Sequence, residues 1–133
     1  MKLEGSTSTA LPDWLKPVEE LAASVRAEQL APRFPHPPEN ARPAAVLICF
    51  ADGEHGPELL LTRRAVTLRN HAGQISFPGG ACDEDDADAV TTALREAEEE
   101  VGLEPDDVLV FGTLPTLWLP PCNFAVTSVP GYW

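Results

Sequence analysis

At 133 residues the chain has the size of a single domain with a modest core, and 9 basic against 21 acidic residues give it a formal net charge of −12. That balance excludes non-specific binding to nucleic acid or to an anionic membrane surface. With no signal-peptide pattern at the N-terminus and no apolar run long enough to span a bilayer, the expectation is a soluble, cytoplasmic protein without a nucleic-acid or membrane partner.

In chain order, a polar leader runs from Met1 to Ala10, and Leu15, Val18, Ala22 and Val25 then recur at helical spacing. They predict a short amphipathic helix begun near Pro12 or Pro17. Pro32, Pro35, Pro37, Pro38 and Pro43 make 31–43 an extended connector. The expected division is 1–43 as N-terminal helix and connector and 44–133 as the folded domain. Ala44 to Phe50 is a continuous apolar run that fits a buried strand, 52–57 carries turn chemistry, and Glu58 to Thr62 returns as the second strand of a hairpin. Past a central loop and helix, Val108 to Thr113 reads as a strand, Pro115, Pro120 and Pro121 mark a loop, and Phe124 to Val129 starts a further strand. Cys49, Cys82 and Cys122 lie far apart without metal-ligand spacing and read as reduced thiols.

The chemistry concentrates between Arg63 and Leu103. Asp88 is an N-cap candidate for a helix whose buried stripe is Val90, Ala93, Leu94, Ala97 and Val101, and Gly102 terminates it. Glu96, Glu99 and Glu100 stand at i, i+3 and i+4, so they share a second helix face. Crowded at the helix C-terminus, they repel each other and the negative pole of the dipole. A hard divalent cation with oxygen ligands, Mg²⁺ or Mn²⁺, suits that position. Taken alone, such an acidic run is usually a solvated helix face. Its company changes the reading: Pro78-Gly79-Gly80 can bring a backbone carbonyl to the glutamates, and Arg95 can hold a carboxylate by a charge-assisted hydrogen bond. Upstream, Arg63, Arg64 and Arg69 place three of the nine basic residues within seven positions, a pattern suited to phosphate oxygens. His71 lies among them, where a loop histidine is more often simply exposed. The run Asp83 to Asp86 is no EF-hand, since Asp88 and Leu94 occupy the positions of the required glycine and glutamate.

These residues resemble the Nudix hydrolases, whose box reads Gly, five residues, Glu, seven residues, then Arg-Glu-U-x-Glu-Glu-x-Gly-U, with U bulky and aliphatic. Arg95, Glu96, Glu99, Glu100, Gly102 and Leu103 match the second half, with Ala97 small for its position. In the first half Asp86 follows Gly80 by six residues where the box has Glu, and eight residues separate it from Arg95. The spacing Leu60-Leu61-Thr62, Arg64-Ala65, Arg69, Gly73 and Phe77 to Gly80 is similar to the signature of the coenzyme A pyrophosphatase branch, which commonly carries that longer spacing.

The resemblance covers about Ala44 to Val129. It implies an α/β fold, the Nudix-type α/β/α sandwich with a mixed sheet and a loop-helix-loop metal motif. The implied reaction is metal-dependent hydrolysis of the diphosphate of coenzyme A or acyl-CoA to 3′,5′-ADP and 4′-phosphopantetheine or its acyl form. Glu96, Glu99, Glu100 and the Gly79 carbonyl would hold Mg²⁺ or Mn²⁺, Arg95 would orient the carboxylates, and one glutamate would act as general base. Arg64 and Arg69 would hold substrate phosphates, with His71, Gly73 and Phe77 as further substrate-binding candidates. Another nucleoside diphosphate derivative as substrate, or a catalytically silent binding module, are the alternatives, and a homodimer is the one assembly kept in view. The resemblance also implies further strands and a C-terminal helix beyond Trp133, so the chain is expected to be incomplete and weakly active.

Overall fold

The computed structural model describes residues 10–63 and 73–133. Its longest strand is β1 (Arg42–Gly53), which begins two residues before the expected Ala44. On one edge β1 pairs antiparallel with β2 (Gly56–Leu59) and, nearer its start, with β5 (Gly79–Ala81). On the other edge it runs parallel to β8 (Phe124–Tyr132), from Arg42 beside Phe124 to Phe50 beside Tyr132. Among the described residues these belong to a six-stranded mixed sheet of order β2-β1-β8-β6, with β6 at Leu109–Val110, β5 also on β1, and β7 (Leu117–Leu119) on β8. A parallel pair needs a long crossover. Here that crossover carries helix α3 (Ala89–Val101).

The β1–β2 hairpin turns as expected, but the second strand stops at Leu59 rather than Thr62. The edge of β1 explains the stop: Gly79 already faces Val46, and the Leu47 N–H donates to the Pro78 carbonyl at 2.8 Å. The chain leaves that edge after Leu60, and β3 (Thr62–Arg63) pairs instead with β4 (Ile75–Ser76) in a small separate sheet. Three other boundaries differ from expectation. The strand expected over 108–113 shortens to β6 (Leu109–Val110), and β7 (Leu117–Leu119) forms inside the expected loop. Strand β8 runs on to Tyr132, because residues 129–131 are buried between β1 and β6.

Near the N-terminus a 3-10 turn, Asp13–Leu15, leads into α1 (Lys16–Ser24), which buries Leu15 and Ala22. Val25 is extended and closes α1 instead of continuing it, and a single further turn, α2 (Ala27–Leu30), follows. Trp14 packs edge-on against Phe50 and Tyr132, and its indole N–H donates to Asp52 at 2.9 Å. No helix among the described residues is long and apolar enough to cross a membrane.

Helix α3 closes over the opposite face of β1. Ala45, Leu47 and Cys49, alternating along the strand, meet Ala93 and Ala97 of the helix, with Leu103 and Val129 completing the buried cluster. Two alanines at the contact bring the helix backbone close to the sheet. Val90 and Leu94 of the expected stripe pack against this cluster, but Val101 is 39% exposed. The helix ends there, Gly102 turns the chain at φ +73°, and Leu103 takes the buried place instead. Burial raises the Cys49 thiol to about 11, so it packs as an inert apolar group. Leu47 is fully buried, and Leu47→Ala is expected to cost ~2–5 kcal/mol in urea unfolding. A loss under 1 kcal/mol would mean that the α3–β1 contact does not hold the domain together.

Candidate functional site

The site forms where β5 and the turn after it meet α3. Its glycines are required by close approach. A Cβ on Gly79 would lie 2.4 Å from the Ala45 carbonyl oxygen, and a Cβ on Gly80 would lie 2.7 Å from the carboxyl carbon of Glu96. A side chain at Gly79 would run into the backbone of β1, and one at Gly80 would displace the Glu96 carboxylate. The Gly79 N–H donates to Glu100 Oε1 at 3.1 Å.

Helix α3 is positioned at both ends. Asp88 Oδ1 accepts from the Thr91 N–H at 2.8 Å, and that hydrogen bond draws the Asp88 carboxyl below its usual range. At the other end the Gly102 N–H returns to the Glu98 carbonyl at 2.9 Å.

Between these ends Arg95 is the organising cation. Its Nε donates to Asp86 Oδ1 at 3.2 Å and its Nη2 to Asp86 Oδ2 at 2.9 Å, a two-point fork. Nη2 also reaches the Ala81 carbonyl of β5 at 3.3 Å. Nη1 donates to Glu96 Oε2 at 3.1 Å and to Glu99 Oε2 at 3.5 Å. The Asp86 side chain is only 6% exposed, and Asp86 Oδ2 accepts further bonds from the Asp83 N–H at 2.9 Å and the Thr92 hydroxyl at 2.8 Å. The Arg95 guanidinium first, and then the Asp83 amide, hold the Asp86 carboxyl well below the usual carboxylate range. The same pair, Asp86 first, raises Arg95 above its already high value. Both groups are therefore fully charged at neutral pH.

The structure thus brings together Gly79, Arg95, Glu96, Glu99 and Glu100. Gly73 turns the chain at φ +74° and Phe77 is half-buried just before Pro78. Arg64, Arg69 and His71 lie outside the described residues. Sequence reasoning left Asp86 with no assigned role and passed over Thr92 altogether. A threonine beside the apolar stripe, in register with an aspartate six residues before it, was the available signal.

Among the described residues no group of three or more His, Cys, Asp or Glu side chains stands ready to hold a metal ion. Each carboxylate is instead turned to its own partner, Glu96 and Glu99 to Arg95 and Glu100 to the Gly79 amide. The donor chemistry still fits a hard divalent cation, since three carboxylates rise from one helix face and the Glu99 side chain, 60% exposed, has room to turn.

Comparison with known proteins follows the same lines. The sequence model of the NUDIX domain matches residues 41–126. The chain is 48% identical over 107 residues to an uncharacterized Nudix hydrolase, NudL, of Shigella flexneri, covering 80% of this chain and 50% of that protein. It spans about half the length of the curated relatives it matches. In structure it is similar to a Nudix hydrolase from M. smegmatis, RenU, with a TM-score of 0.57 and 26% identity over 68% of this chain and 60% of that one. It also shares the fold of the NUDIX domain of Shewanella oneidensis NrtR, solved with ADP ribose, with a TM-score of 0.52 and 21% identity over 83% and 70% of the two chains.

Proposed function

The chain belongs to the Nudix family, and from that premise we infer that it hydrolyses a nucleoside diphosphate derivative, with coenzyme A or acyl-CoA as the substrate. The observation that carries the hydrolase reading is the acidic face of α3, whose Glu96 and Glu99 share one arginine while Glu100 closes on the glycine strand. Glu96, Glu99 and Glu100 would hold the divalent cation, with the Gly79 carbonyl as a further candidate ligand. Held there, Mg²⁺ or Mn²⁺ would supply charge neutralisation for the diphosphate and acidify a bound water. The residues of the chain do the rest. Arg95 keeps two carboxylates from repelling each other and aims them, and Asp86 keeps Arg95 in its plane. One glutamate of the trio takes the proton of the attacking water. The backbone of Gly79 and Gly80 lets β5 approach the carboxylates without a side chain between them.

The substrate assignment rests on the signature from Leu60 to Gly80, where Arg64 and Arg69 bind phosphate oxygens. Arg69→Ala is expected to lower kcat/KM on coenzyme A by ~1.5–3 kcal/mol, roughly 10- to 150-fold. An unchanged kcat/KM would make the signature structural and remove coenzyme A as the favoured substrate.

A second reading is a silent Nudix-type binding module. One experiment separates these readings. The purified chain is offered coenzyme A, acyl thioesters, nucleotide sugars and dinucleotides with and without Mg²⁺ or Mn²⁺, and products are identified. Metal-dependent release of 3′,5′-ADP from coenzyme A is the expected result. Faster cleavage of another member of the panel overturns the substrate, and binding without turnover supports the silent module.

A further inference from the structure

We propose that Thr92 is a positioning residue for the acidic face of α3, acting through Asp86 and Arg95 on Glu96. The inference rests on reading that face as metal-binding and adds a residue to it.

Thr92 lies in the second turn of α3 and is fully buried. A buried threonine in a helix most often returns its hydroxyl to the carbonyl four residues back. That acceptor exists here, the Asp88 carbonyl, but at 3.3 Å, while Asp86 Oδ2 lies at 2.8 Å. A hydroxyl has one proton to give, and the shorter contact to a carboxylate is the stronger bond. Asp86 is ionised and carries no proton of its own, so Thr92 must be the donor.

The geometry downstream makes this bond matter. Asp86 belongs to the loop before α3, where a tight turn closes on itself: the Asp86 N–H meets the Asp83 carbonyl at 3.0 Å, and the Asp83 N–H meets Asp86 Oδ2 at 2.9 Å. Those bonds shape the loop but do not tie it to the helix. Among the described side-chain hydrogen bonds, the helix residues that reach the Asp86 carboxylate are Arg95 and Thr92. Arg95 reaches Asp86 from the end of a long side chain, which also touches the Ala81 carbonyl and Asp83. Thr92 is short, β-branched and buried, so its hydroxyl is a fixed point on the helix. It sets Asp86 Oδ2, the two oxygens of Asp86 set the guanidinium plane through Nε and Nη2, and that plane aims Nη1 at Glu96 Oε2, 3.1 Å away. The chain Thr92–Asp86–Arg95–Glu96 links a core position to the metal face without touching substrate.

The test compares Thr92→Val, which keeps shape and loses the hydroxyl, with Thr92→Ser, which keeps the hydroxyl. Two quantities are read: Mn²⁺ affinity by electron paramagnetic resonance of the free ion, and solvent protection of the Arg95 Nε–H by NMR. Thr92→Val is expected to weaken Mn²⁺ binding about 10-fold, the lower end for partners outside the ligand shell, and to expose the Nε–H to exchange. Thr92→Ser is expected to stay within about 2-fold of the parent. Thr92→Ala is measured alongside, so that poor folding of one variant leaves another to read. In an Asp86→Ala background the Thr92 change should have no further effect. Parental Mn²⁺ affinity in folded Thr92→Val, equal losses in the Val and Ser variants, or additive losses with Asp86→Ala each overturn the proposal. Absence of Mn²⁺ binding by the parent chain is a different result, which overturns the metal reading itself.

Discussion

Glu100→Gln is expected to lower kcat by about 10³-fold, equivalent to about 4 kcal/mol of barrier, with α3 still folded. The substitution keeps length and helix propensity, and the side-chain carbonyl of glutamine can still accept the Gly79 N–H that Glu100 Oε1 accepts at 3.1 Å. What it removes is one negative charge from the face proposed to hold a hard cation, and neutral amide oxygens are much weaker ligands for Mg²⁺ or Mn²⁺ than carboxylates. Circular dichroism and urea unfolding should match the parent, so the loss would lie in chemistry alone. Near-parental turnover under saturating Mg²⁺ would remove Glu100 from the metal site and leave its role as a partner of Gly79.

The adjacent glycines should separate folding from catalysis. In Gly80→Ala the new methyl meets the Glu96 carboxylate, with its carbon at 2.7 Å and both oxygens at 2.9 Å. That carboxylate is the end of a flexible side chain and can swing away at little cost. Stability should therefore hold, while kcat falls about 10²-fold because Glu96 leaves the position that Arg95 gives it. In Gly79→Ala the methyl meets backbone instead, the Ala45 carbonyl oxygen at 2.4 Å and the Val46 Cα at 2.8 Å. Central strand β1 cannot yield, so β5 must lift from it. A stability loss of ~1–3 kcal/mol is expected together with loss of activity, since Gly80 and Ala81 move with the strand. Urea unfolding and steady-state kinetics on both variants check this. Equal stability losses in the two would show that Gly80 is held by packing rather than by the carboxylate beside it.

How much of this was legible varies by element. The apolar run from Ala44 and the 3.6-residue pattern of α3, with Asp88 before it and Gly102 after it, lie in local sequence, and both elements formed where local signals put them. The three glutamates share a face because helix geometry requires it, whatever the rest of the chain does. The hairpin at Gly53–Gly56 follows from turn chemistry in the same way.

Tertiary structure alone decided the rest. Where β2 ends depends on β5 having claimed the edge of β1, and no residue between Glu58 and Thr62 records that competition. Strand β8 is central and parallel to β1, which depends on pairing across more than eighty residues rather than on its own composition. Thr92 and Arg95 stand one turn apart on α3, but Asp86 came to join them only when the 83–86 loop folded back on the helix. The Gly79 amide meets Glu100 because pairing with β1 brings that strand beside the end of the helix. Sequence by itself determined which residues carry charge and which helix face they occupy, because both are local properties. Partners within α3, Thr91 for Asp88 and Glu99 for Arg95, are local too, whereas Asp86 for Arg95 and Gly79 for Glu100 were set by the packing of segments outside the helix.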